Sequence, residues 1–490
     1  MFSCKSICWF FKQTRFYFLA TVVELGSQES IFGGYDVRGI YGGSLTESEA
    51  SNLGKAFGTF VLKESRAGKK RTPRIACGRD NRLSSPSLYK AFLQGLCSTG
   101  CATFDTGVVP SPVVYFGAFA LKADGAAVIT ASHNPPQYNG VKMLSGIWPL
   151  SSRQLLEVRK IFESKKFEEK PKIAWGKVHE KSVLDEYLRF TCSKIPSLEG
   201  LKVVVDGGNG VVGGVGVRAL RKLGAKVIAL YCEQDGRFPN HLPDPSKPEN
   251  VRDLQTRVVR EKADLGIAFD GDGDRAVFIS EKGEIVKSDD ANVLFIRDVF
   301  RKKKNATVGF ELRCSLAVRE EIEKLGGKAI ETKAGRIAVR ESMKNGAVFA
   351  CETTGHVCFA ENNGFDDGIF AAAKFCEILR KSGKSASSLA STVKHYFATR
   401  ELRIPCENKF EAVDEAKKSL SSKKLRLLTI DGVKYSDEGG WGLVRASQTE
   451  SLLSARFEGR TRADLQRIYA LFSGTMPSFA RLPALESVLH

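Results

Sequence analysis

The segment Ala126-Ala127-Val128-Ile129-Thr130-Ala131-Ser132-His133-Asn134-Pro135 passes directly from an apolar stretch into a polar loop. Four consecutive small or branched apolar residues indicate a buried strand, and the Asn, Pro and Gly that follow indicate a loop. In open α/β sheets, ligands bind beyond the carboxyl ends of the strands. The pattern therefore predicts an α/β fold that presents the Ser132 hydroxyl to a ligand. A hydroxyl alone is a weak nucleophile, so other groups must support its chemistry.

Three carboxylates at alternate positions follow another apolar stretch, Ala263 to Phe269. Ala276-Val277-Phe278-Ile279 comes next, so a hairpin-like loop is expected to carry the acids. Glycines between them allow a tight turn in which all three acids converge on one hard cation. An EF-hand loop is the competing metal site, with Glu281 at its twelfth position, but Arg275 stands where that loop requires glycine. A solvated acidic loop is the alternative without a metal. We predict a compact site for one Mg²⁺ per chain, formed by Asp270, Asp272 and Asp274.

Strand and helix patterns repeat along the 490 residues, which are 42% hydrophobic and can form several cores. The strand pattern Lys202 to Asp206 leads into Gly207-Gly208-Asn209-Gly210, whose spacing disfavours a dinucleotide-binding fingerprint. A third unit shows a helix pattern from Leu316 to Leu325, a strand at Lys328 to Thr332 and another strand at Ala347 to Ala350. These units predict related mixed-sheet domains. The segment Lys381 to Ser391 is expected to link them to an α+β region.

The formal net charge is +18, yet no five consecutive basic residues occur. Aromatic residues are not interleaved with the basic ones as they are in single-strand binders. We therefore expect a solvated lysine-rich surface, a small anionic ligand, and neither a nucleic acid nor a membrane as partner. The twelve cysteines form no CxxC pair, which favours buried thiols in the cytoplasm over a zinc site or a disulfide framework.

Residues 1–30 are predicted to be an N-terminal extension, either a targeting segment or a spurious extension of the reading frame. Their aromatic run is interrupted by Lys12 and Arg15 and is too short to indicate a membrane span. We expect a chain starting at Ser27 to be folded and fully active, and the full chain to be less soluble. Melting temperatures and specific activities of the two chains check this. A large loss in the shorter chain would show that the extension packs on the first domain.

Several motifs resemble the α-D-phosphohexomutase superfamily, and specifically its phosphomannomutase/phosphoglucomutase branch, over about residues 31–473. The serine and aspartate loops are two of them. The others are Phe32-Gly33-Gly34-Tyr35-Asp36-Val37-Arg38-Gly39, Gly78-Arg79-Asp80-Asn81-Arg82, Cys351-Glu352-Thr353-Thr354-Gly355-His356 and Arg445-Ala446-Ser447-Gln448-Thr449-Glu450. Gly440-Trp441-Gly442-Leu443-Val444 and Phe365-Asp366-Asp367-Gly368 favour this branch over phosphoglucosamine mutases.

The resemblance implies three similar mixed-sheet α/β domains plus a smaller C-terminal α+β domain around a central cleft. We place their boundaries at 31–178, 179–284, 285–396 and 397–490. We expect a monomer or a weak dimer.

The resemblance also implies interconversion of hexose 1-phosphate and hexose 6-phosphate, of mannose, glucose or both. Ser132 would carry the phosphoryl group, and glucose or mannose 1,6-bisphosphate would be the activator and intermediate. The implied catalytic residues are Ser132, Lys142, His133 and Arg275, and Ser132 would join the three aspartates at the metal. We expect the surrounding cations to lower the pKa of Lys142 so that its amine can accept a proton.

The remaining implied residues bind the substrate. The sugar would contact Glu352, Thr354, His356, Lys333 and Arg336. The phosphate that does not react would contact Arg445, Ser447, Gln448 and Thr449. Tyr41, Arg38 and Arg313 complete the expected cleft.

Some residues differ from those usual in the family. Arg313 stands in place of lysine and Arg336 in place of histidine, so neither titrates usefully near neutral pH.

Two alternative functions remain open: a phosphoglucosamine or pentose-phosphate mutase on the same fold, and a noncatalytic paralogue that acts as a binding subunit. Intact Ser132 and the three aspartates argue against the paralogue.

Overall fold

The structure is a computed structural model that describes residues 30–34, 36–66, 71–447 and 450–489. Residues 1–29 lie outside the described residues. The prediction about a chain starting at Ser27 concerns this segment and stays a prediction. The chain from Ile31 onward is one compact unit. Its described residues form four separate sheets.

The first sheet carries the serine loop. Its described strands are β1 (Val37–Ile40), β2 (Arg74–Arg79), β3 (Ala102–Val108), β4 (Gly125–Ile129), β5 (Tyr138–Ser145), β6 (Trp148–Pro149) and β7 (Val178–Glu180). They lie in the order β1-β5-β4-β2-β3-β7, with β6 paired to β5. β4 is parallel to β2 and antiparallel to β5. The carboxyl ends of β4 and β2 therefore meet at one edge, where Ser132 and Arg82 follow them.

Four helices cover the first sheet: α1 (Glu47–Arg66), α2 (Ser85–Ser98), α3 (Ser111–Ala120) and α4 (Ser152–Ser164). Alternation along β4 divides its side chains between two cores. Ala127 and Ile129 pack into the core that contains residues of α1, α2 and α4. Ala126 and Val128 pack into the core that contains residues of α3. Burial on both faces fixes the register of β4 and hence the position of Ser132.

The second sheet carries the aspartate loop. Its strands are β8 (Lys202–Asp206), β9 (Lys226–Leu230), β10 (Leu265–Phe269), β11 (Ala276–Ser280) and β12 (Ile285–Val286), and its helices are α5 (Leu184–Cys192), α6 (Gly213–Lys222) and α7 (Arg252–Glu261). The strand order is β12-β11-β10-β8-β9. β10 and β11 form an antiparallel hairpin, as predicted. Strands rather than helices flank the aspartates, so the loop is not an EF-hand.

The third sheet carries Glu352. Its strands are β13 (Thr307–Glu311), β14 (Lys328–Thr332), β15 (Phe349–Cys351) and β16 (Val357–Phe359), and its helices are α8 (Ser288–Lys302), α9 (Leu316–Lys324), α10 (Arg336–Lys344), α11 (Gly368–Ser382) and α12 (Ala386–Ala390). β13 is parallel to both neighbours, and β16 is antiparallel to β15. The expected linker contains α12, because the Ser385 hydroxyl caps a short helix there.

The fourth sheet is antiparallel throughout its described strands. They are β17 (Phe397–Ala398), β18 (Leu402–Pro405), β19 (Leu427–Leu428), β20 (Val433–Asp437), β21 (Gly440–Ala446) and β22 (Leu452–Gly459), with α13 (Lys409–Ser422) and α14 (Arg462–Ser473). β21 lies between β20 and β22 and is buried along its length. It holds Arg445 near its carboxyl end.

Three mixed sheets with helices and a fourth antiparallel sheet confirm the predicted fold class. The exact domain boundaries stay a prediction. In the part of the chain that the structure describes, a helix with the length and apolar character needed to cross a membrane is absent.

Candidate active site

Ser132 meets the aspartate loop, as predicted. Its hydroxyl is 2.7 Å from Asp270 Oδ2 and donates a hydrogen bond to it. A Cβ atom at Gly271 would come within 2.4 Å of the Ser132 carbonyl oxygen, so this close approach requires glycine. The structure therefore brings together the loops after β4 and β10, which belong to different sheets.

The three aspartates also converge. Each is fully buried, and together they offer ligand atoms that lie within 4.8 Å of one another. Burial and the charges of Asp274 and Asp272 raise the pKa of Asp270 to about 8. Asp272 Oδ1 is buried without a hydrogen-bond partner among the described residues. An orphaned carboxylate oxygen within an all-oxygen cluster fits a hard divalent cation such as Mg²⁺.

Lys142 lies on β5 directly opposite Val128 of β4. Its ammonium is 2.6 Å from Asp272 Oδ2 and 2.6 Å from Asp274 Oδ2. Burial lowers the pKa of Lys142, but these two carboxylates outweigh burial and raise it above the ordinary lysine value. The expectation of a lowered pKa is therefore wrong for this arrangement, because the charges of these two carboxylates outweigh that of Arg336.

The next residue after Ser132 is a candidate proton acceptor. His133 Nδ1 lies 3.2 Å from Ser132 Oγ. Burial and the charges of Arg275, Arg38 and Lys142 hold the pKa of His133 well below its ordinary value. His133 is therefore a neutral imidazole whose ring nitrogen can share a proton with the serine hydroxyl.

The predicted cations Arg275 and Arg38 flank Ser132, whereas the Tyr41 hydroxyl binds elsewhere. Arg275 Nε is 3.8 Å from Asp270 Oδ2. Arg38 Nη1 donates to the Ala131 carbonyl at 3.3 Å. The Tyr41 hydroxyl donates to Glu47 Oε1 at 2.7 Å, and only its backbone N–H reaches the serine loop, at Gln137.

His356, predicted to contact the sugar, bridges the aspartate loop and Glu352. Its Nε2 is 2.9 Å from Asp274 Oδ1, and its Nδ1 is 2.5 Å from Glu352 Oε1. Thr354 donates to the same Glu352 oxygen. Glu352 Oε2 remains buried without a hydrogen-bond partner among the described residues. One carboxylate oxygen of Glu352 is therefore structural, and the other can accept a hydrogen bond from a ligand.

The charge of His356 predicts a pH dependence of stability. Burial lowers the pKa of His356, but Asp274 and Glu352 raise it to about 9, against about 6.5 in the unfolded chain. A raised folded-state pKa gives stability that is full below about pH 6.5 and is lost as the pH rises through about 9. In excess chelator, we expect the parent to melt at least about 2 °C above His356→Gln below pH 6.5. The difference should shrink toward zero above pH 9. A difference that grows with pH would show that the imidazole is neutral.

Arg336 and Arg313 are paired with carboxylates of the protein. Arg336 Nη1 is 3.2 Å from Asp366 Oδ2. Arg313 forms an ion pair with Glu311 and lies 2.8 Å from Glu401 Oε1, which precedes β18. Arg313 therefore joins the third sheet to the fourth. Lys333, by contrast, has an exposed side chain.

Two of the four predicted phosphate-binding residues are described. Arg445 is buried, and its Nε donates to Asp431 Oδ2 at 2.9 Å. Ser447 is also buried, and its Oγ accepts a hydrogen bond from the Glu450 N–H at 3.2 Å. Asp431 fixes the orientation of the Arg445 guanidinium. Gln448 and Thr449 lie outside the described residues.

Three buried polar residues at this site were missed by the sequence patterns. The Ser111 hydroxyl donates to Asp272 Oδ2, and its N–H donates to the Asp272 carbonyl at 2.9 Å. Asp366 binds Arg340 at 2.9 Å as well as Arg336. Arg82 lies beneath the serine loop and is fully buried. Asp366 and Arg82 stand within quoted motifs, and Arg82 follows β2 at the same sheet edge as Ser132, which is the signal that could have revealed it.

Comparison with known families covers each sheet of the chain. Four family models match in order: phosphoglucomutase/phosphomannomutase alpha/beta/alpha domain I at residues 29–169, domain II at 184–283, domain III at 287–396, and the C-terminal domain at 401–473.

Individual relatives match over almost their whole length. A phosphomannomutase/phosphoglucomutase of Pseudomonas aeruginosa is 39% identical over 447 residues, covering 90% of this chain and 94% of the relative. A phosphoglucomutase of Neisseria meningitidis is 36% identical, covering 91% of this chain and 97% of the relative. The crystal structure of a phosphoglucomutase/phosphomannomutase family protein from Burkholderia thailandensis superposes with a TM-score of 0.85 at 33% identity, covering 94% of this chain and 100% of that one. The chain therefore belongs to the phosphoglucomutase/phosphomannomutase family.

Proposed function

We propose that the protein interconverts hexose 1-phosphate and hexose 6-phosphate, with Ser132 as the phosphoryl carrier and a hexose 1,6-bisphosphate as intermediate. The observation that carries this proposal is the hydrogen bond between Ser132 Oγ and Asp270 within a buried cluster of three carboxylates. A nucleophilic hydroxyl beside a cation site is the arrangement that phosphoryl transfer needs. The activities for which the relatives are named support the same reaction.

One Mg²⁺ would be held by Asp270, Asp272 and Asp274, together with the oxygen of Ser132 or its phosphate. When bound, it would neutralise charge that develops on the transferring phosphoryl group. The arginine that follows these aspartates, Arg275, adds a fixed positive charge at the same place.

In the transfer to the sugar, the bond between Ser132 Oγ and phosphorus breaks while a bond from the sugar hydroxyl oxygen to phosphorus forms. The proton of that hydroxyl must leave, and Lys142 is the proposed acceptor. Its amine can accept a proton only where the negative charges of Asp272 and Asp274 are otherwise neutralised, because those charges now raise its pKa. Asp272 and Asp274 would therefore both hold the metal and set the pKa of Lys142.

Glu352 is the proposed sugar-binding residue. A buried carboxylate oxygen without a hydrogen bond is destabilising by about 1–3 kcal/mol, and a sugar hydroxyl can supply the missing donor to Oε2. A carboxylate that binds the hydroxyls at C3 and C4 does not contact C2, where glucose and mannose differ. This placement is a physical basis for activity with one or both sugars.

Arg445 is proposed to bind the phosphate that is not being transferred, with Ser447, Gln448 and Thr449 beside it. A guanidinium offers two parallel donors that match phosphate oxygens. To exchange its two phosphates, the bisphosphate must turn over in the cleft, so the fourth domain is expected to move during the cycle.

The proposed division of labour predicts two distinct binding defects. Arg445→Ala should weaken binding of any phosphosugar by about 10- to 150-fold, since one charge-assisted contact contributes roughly 1.5–3 kcal/mol. Glu352→Ala should weaken recognition of the sugar ring while inorganic phosphate still binds. Titration calorimetry with glucose 1-phosphate and with phosphate separates the two, and Arg426→Ala, an exposed arginine of the same domain, is the control. If Arg445→Ala binds glucose 1-phosphate as tightly as the parent does, Arg445 does not bind the phosphate of the substrate.

A coupled assay with four substrates tests the proposed function: mannose 1-phosphate, glucose 1-phosphate, glucosamine 1-phosphate and ribose 1-phosphate. We expect turnover of one or both of the first two, dependent on the bisphosphate. Preferred turnover of glucosamine or ribose phosphate would establish the alternative mutase. The absence of turnover with all four would favour a noncatalytic binding subunit.

A further inference from the structure

Arg82 binds the backbone of the serine loop from below. It is 1% exposed and lies in the turn after β2. Its two terminal nitrogens donate to four carbonyl oxygens of the serine loop and the start of β5: those of Ser132 at 2.8 Å, Asn134 at 2.6 Å, Pro135 at 2.7 Å and Tyr138 at 3.0 Å. The loop that carries the nucleophile therefore wraps around a single guanidinium.

Asp80 fixes the guanidinium from the side. Its Oδ2 accepts a hydrogen bond from Arg82 Nε at 3.1 Å, and its Oδ1 accepts one from the Arg82 backbone N–H at 3.0 Å. With the four loop carbonyls, all five N–H donors of the guanidinium are then used. A lysine has three donors on one atom and cannot reproduce this planar fork.

The conformation of Ser132 explains why such support is needed. Its φ is +51°, in the left-handed region that residues other than glycine rarely adopt. Such a conformation persists only where the surroundings hold it. Arg82 binds the carbonyl of this same residue, while the side chain points to Asp270. The hydrogen bond from below thus fixes the peptide orientation that directs the hydroxyl toward the aspartates.

The second domain closes the other side of Arg82. The ring of Phe238, between β9 and α7, lies 5.0 Å from the Arg82 guanidinium carbon. A Cβ at Gly236 would lie 2.4 Å from the Asn81 carbonyl oxygen, and Asn81 Nδ2 donates to the Asn209 carbonyl at 2.8 Å. This loop of the second domain therefore covers the side of the guanidinium that faces away from the serine loop.

We propose that Arg82 is a positioning residue, which holds Ser132 in its left-handed conformation for phosphoryl transfer, and that Phe238 couples this conformation to docking of the second domain. The proposal rests on the proposed role of Ser132 as phosphoryl carrier. Arg82 itself does not touch the reacting atoms, so its effect should fall on kcat rather than on KM.

The first test compares Arg82→Lys with Arg79→Lys. Arg79 lies at the end of the same strand, and among the described residues its side chain donates only to the Asp80 carbonyl. Because a misplacement of about 1 Å can lower a rate about 100-fold, we expect Arg82→Lys to lower kcat by about that factor while KM for glucose 1-phosphate stays within about twofold. Arg79→Lys should leave both within about twofold. A loss confined to KM, or an unchanged kcat, would overturn the proposal.

The second test is independent of activity. Hydrogen exchange of the backbone amides in residues 131–138 should become faster in Arg82→Lys than in the parent, and not in Arg79→Lys. Phe238→Leu, which keeps an apolar side chain, should give a smaller change in the same direction. If Arg82→Lys does not fold, Phe238→Leu is the variant that tests the proposal. Unchanged exchange in both variants would overturn the proposal. If the parent shows neither mutase activity nor phosphorylation of Ser132, the proposed function fails, while exchange still decides the role of Arg82 in holding the loop.

Discussion

Ser132→Ala should lower kcat at least about 1,000-fold, as expected when an essential nucleophile is removed, without unfolding the protein. The lost oxygen is the one that lies 2.7 Å from Asp270. Alanine tolerates the backbone of Ser132 as well as serine does, and the Arg82 contacts to the loop involve backbone carbonyls only. The structural part of the loop should therefore survive while the phosphoryl carrier is lost.

The measurement is steady-state turnover of glucose 1-phosphate and mannose 1-phosphate with bisphosphate supplied, together with the melting temperature. Ser65→Ala is the matched control and should behave as the parent. It removes a half-buried hydroxyl on α1 whose hydrogen bond within the described part of the chain goes to the Val61 carbonyl. Turnover by Ser132→Ala near the parent rate would mean that the phosphoryl group travels by another route.

Asp272→Asn should impair metal binding and activity together. Asp272 contributes the one orphaned oxygen of the carboxylate cluster, and its other oxygen accepts hydrogen bonds from Lys142 and Ser111. An amide removes a negative charge and one oxygen ligand. Since charge neutralisation by a bound metal contributes several kcal/mol to such reactions, a fall in kcat/KM of at least about 100-fold is expected.

Mg²⁺ titration of the metal-stripped protein and turnover in excess chelator check this prediction. Asp264→Asn is the control, because Asp264 lies at the opposite end of β10 and is exposed. Full activity of the stripped parent in chelator would contradict the metal site. Weak metal binding with normal turnover in Asp272→Asn would show that metal binding by the three aspartates is not needed for catalysis.

Local patterns were enough to place Ser132 and the three aspartates. Apolar residues that precede Ser132 and Asp270 form β4 and β10, and the hairpin predicted after Asp270 is present. Positions at strand ends are fixed by the register of the strand, which the hydrophobic pattern encodes. These patterns placed Ser132 and the aspartates at strand ends, whereas the family resemblance implied that the two loops, about 140 positions apart in sequence, share one site.

Long polar side chains were harder to place, because their partners come from other elements. Lys142 lies between two aspartates that outweigh the neighbouring cations, and His356 binds both Asp274 and Glu352. Arg336 binds Asp366, which no local pattern linked to it. The sign of each side chain's charge follows from the sequence. Which opposite charge lies nearest depends on packing between sheets, and that nearest charge decides the direction of the pKa shift.

Arg82 shows the same limit for the serine loop. Its sequence context indicated a turn after β2, yet four of its five guanidinium hydrogen bonds depend on the path that residues 132–138 take above it. A buried arginine in a polar turn gives no sign by itself of whether it binds a ligand or the backbone.

In the proposed mechanism, Ser132 carries the phosphoryl group between two sugar phosphates. The most direct test loads the protein with radiolabelled glucose 1,6-bisphosphate, maps the label by peptide mass spectrometry, and then adds unlabelled glucose 6-phosphate. We expect one label per chain on Ser132, absent in Ser132→Ala, and its transfer to the sugar on the time scale of turnover. A label on another residue, or a label on Ser132 that sugar phosphate cannot remove, would contradict this mechanism.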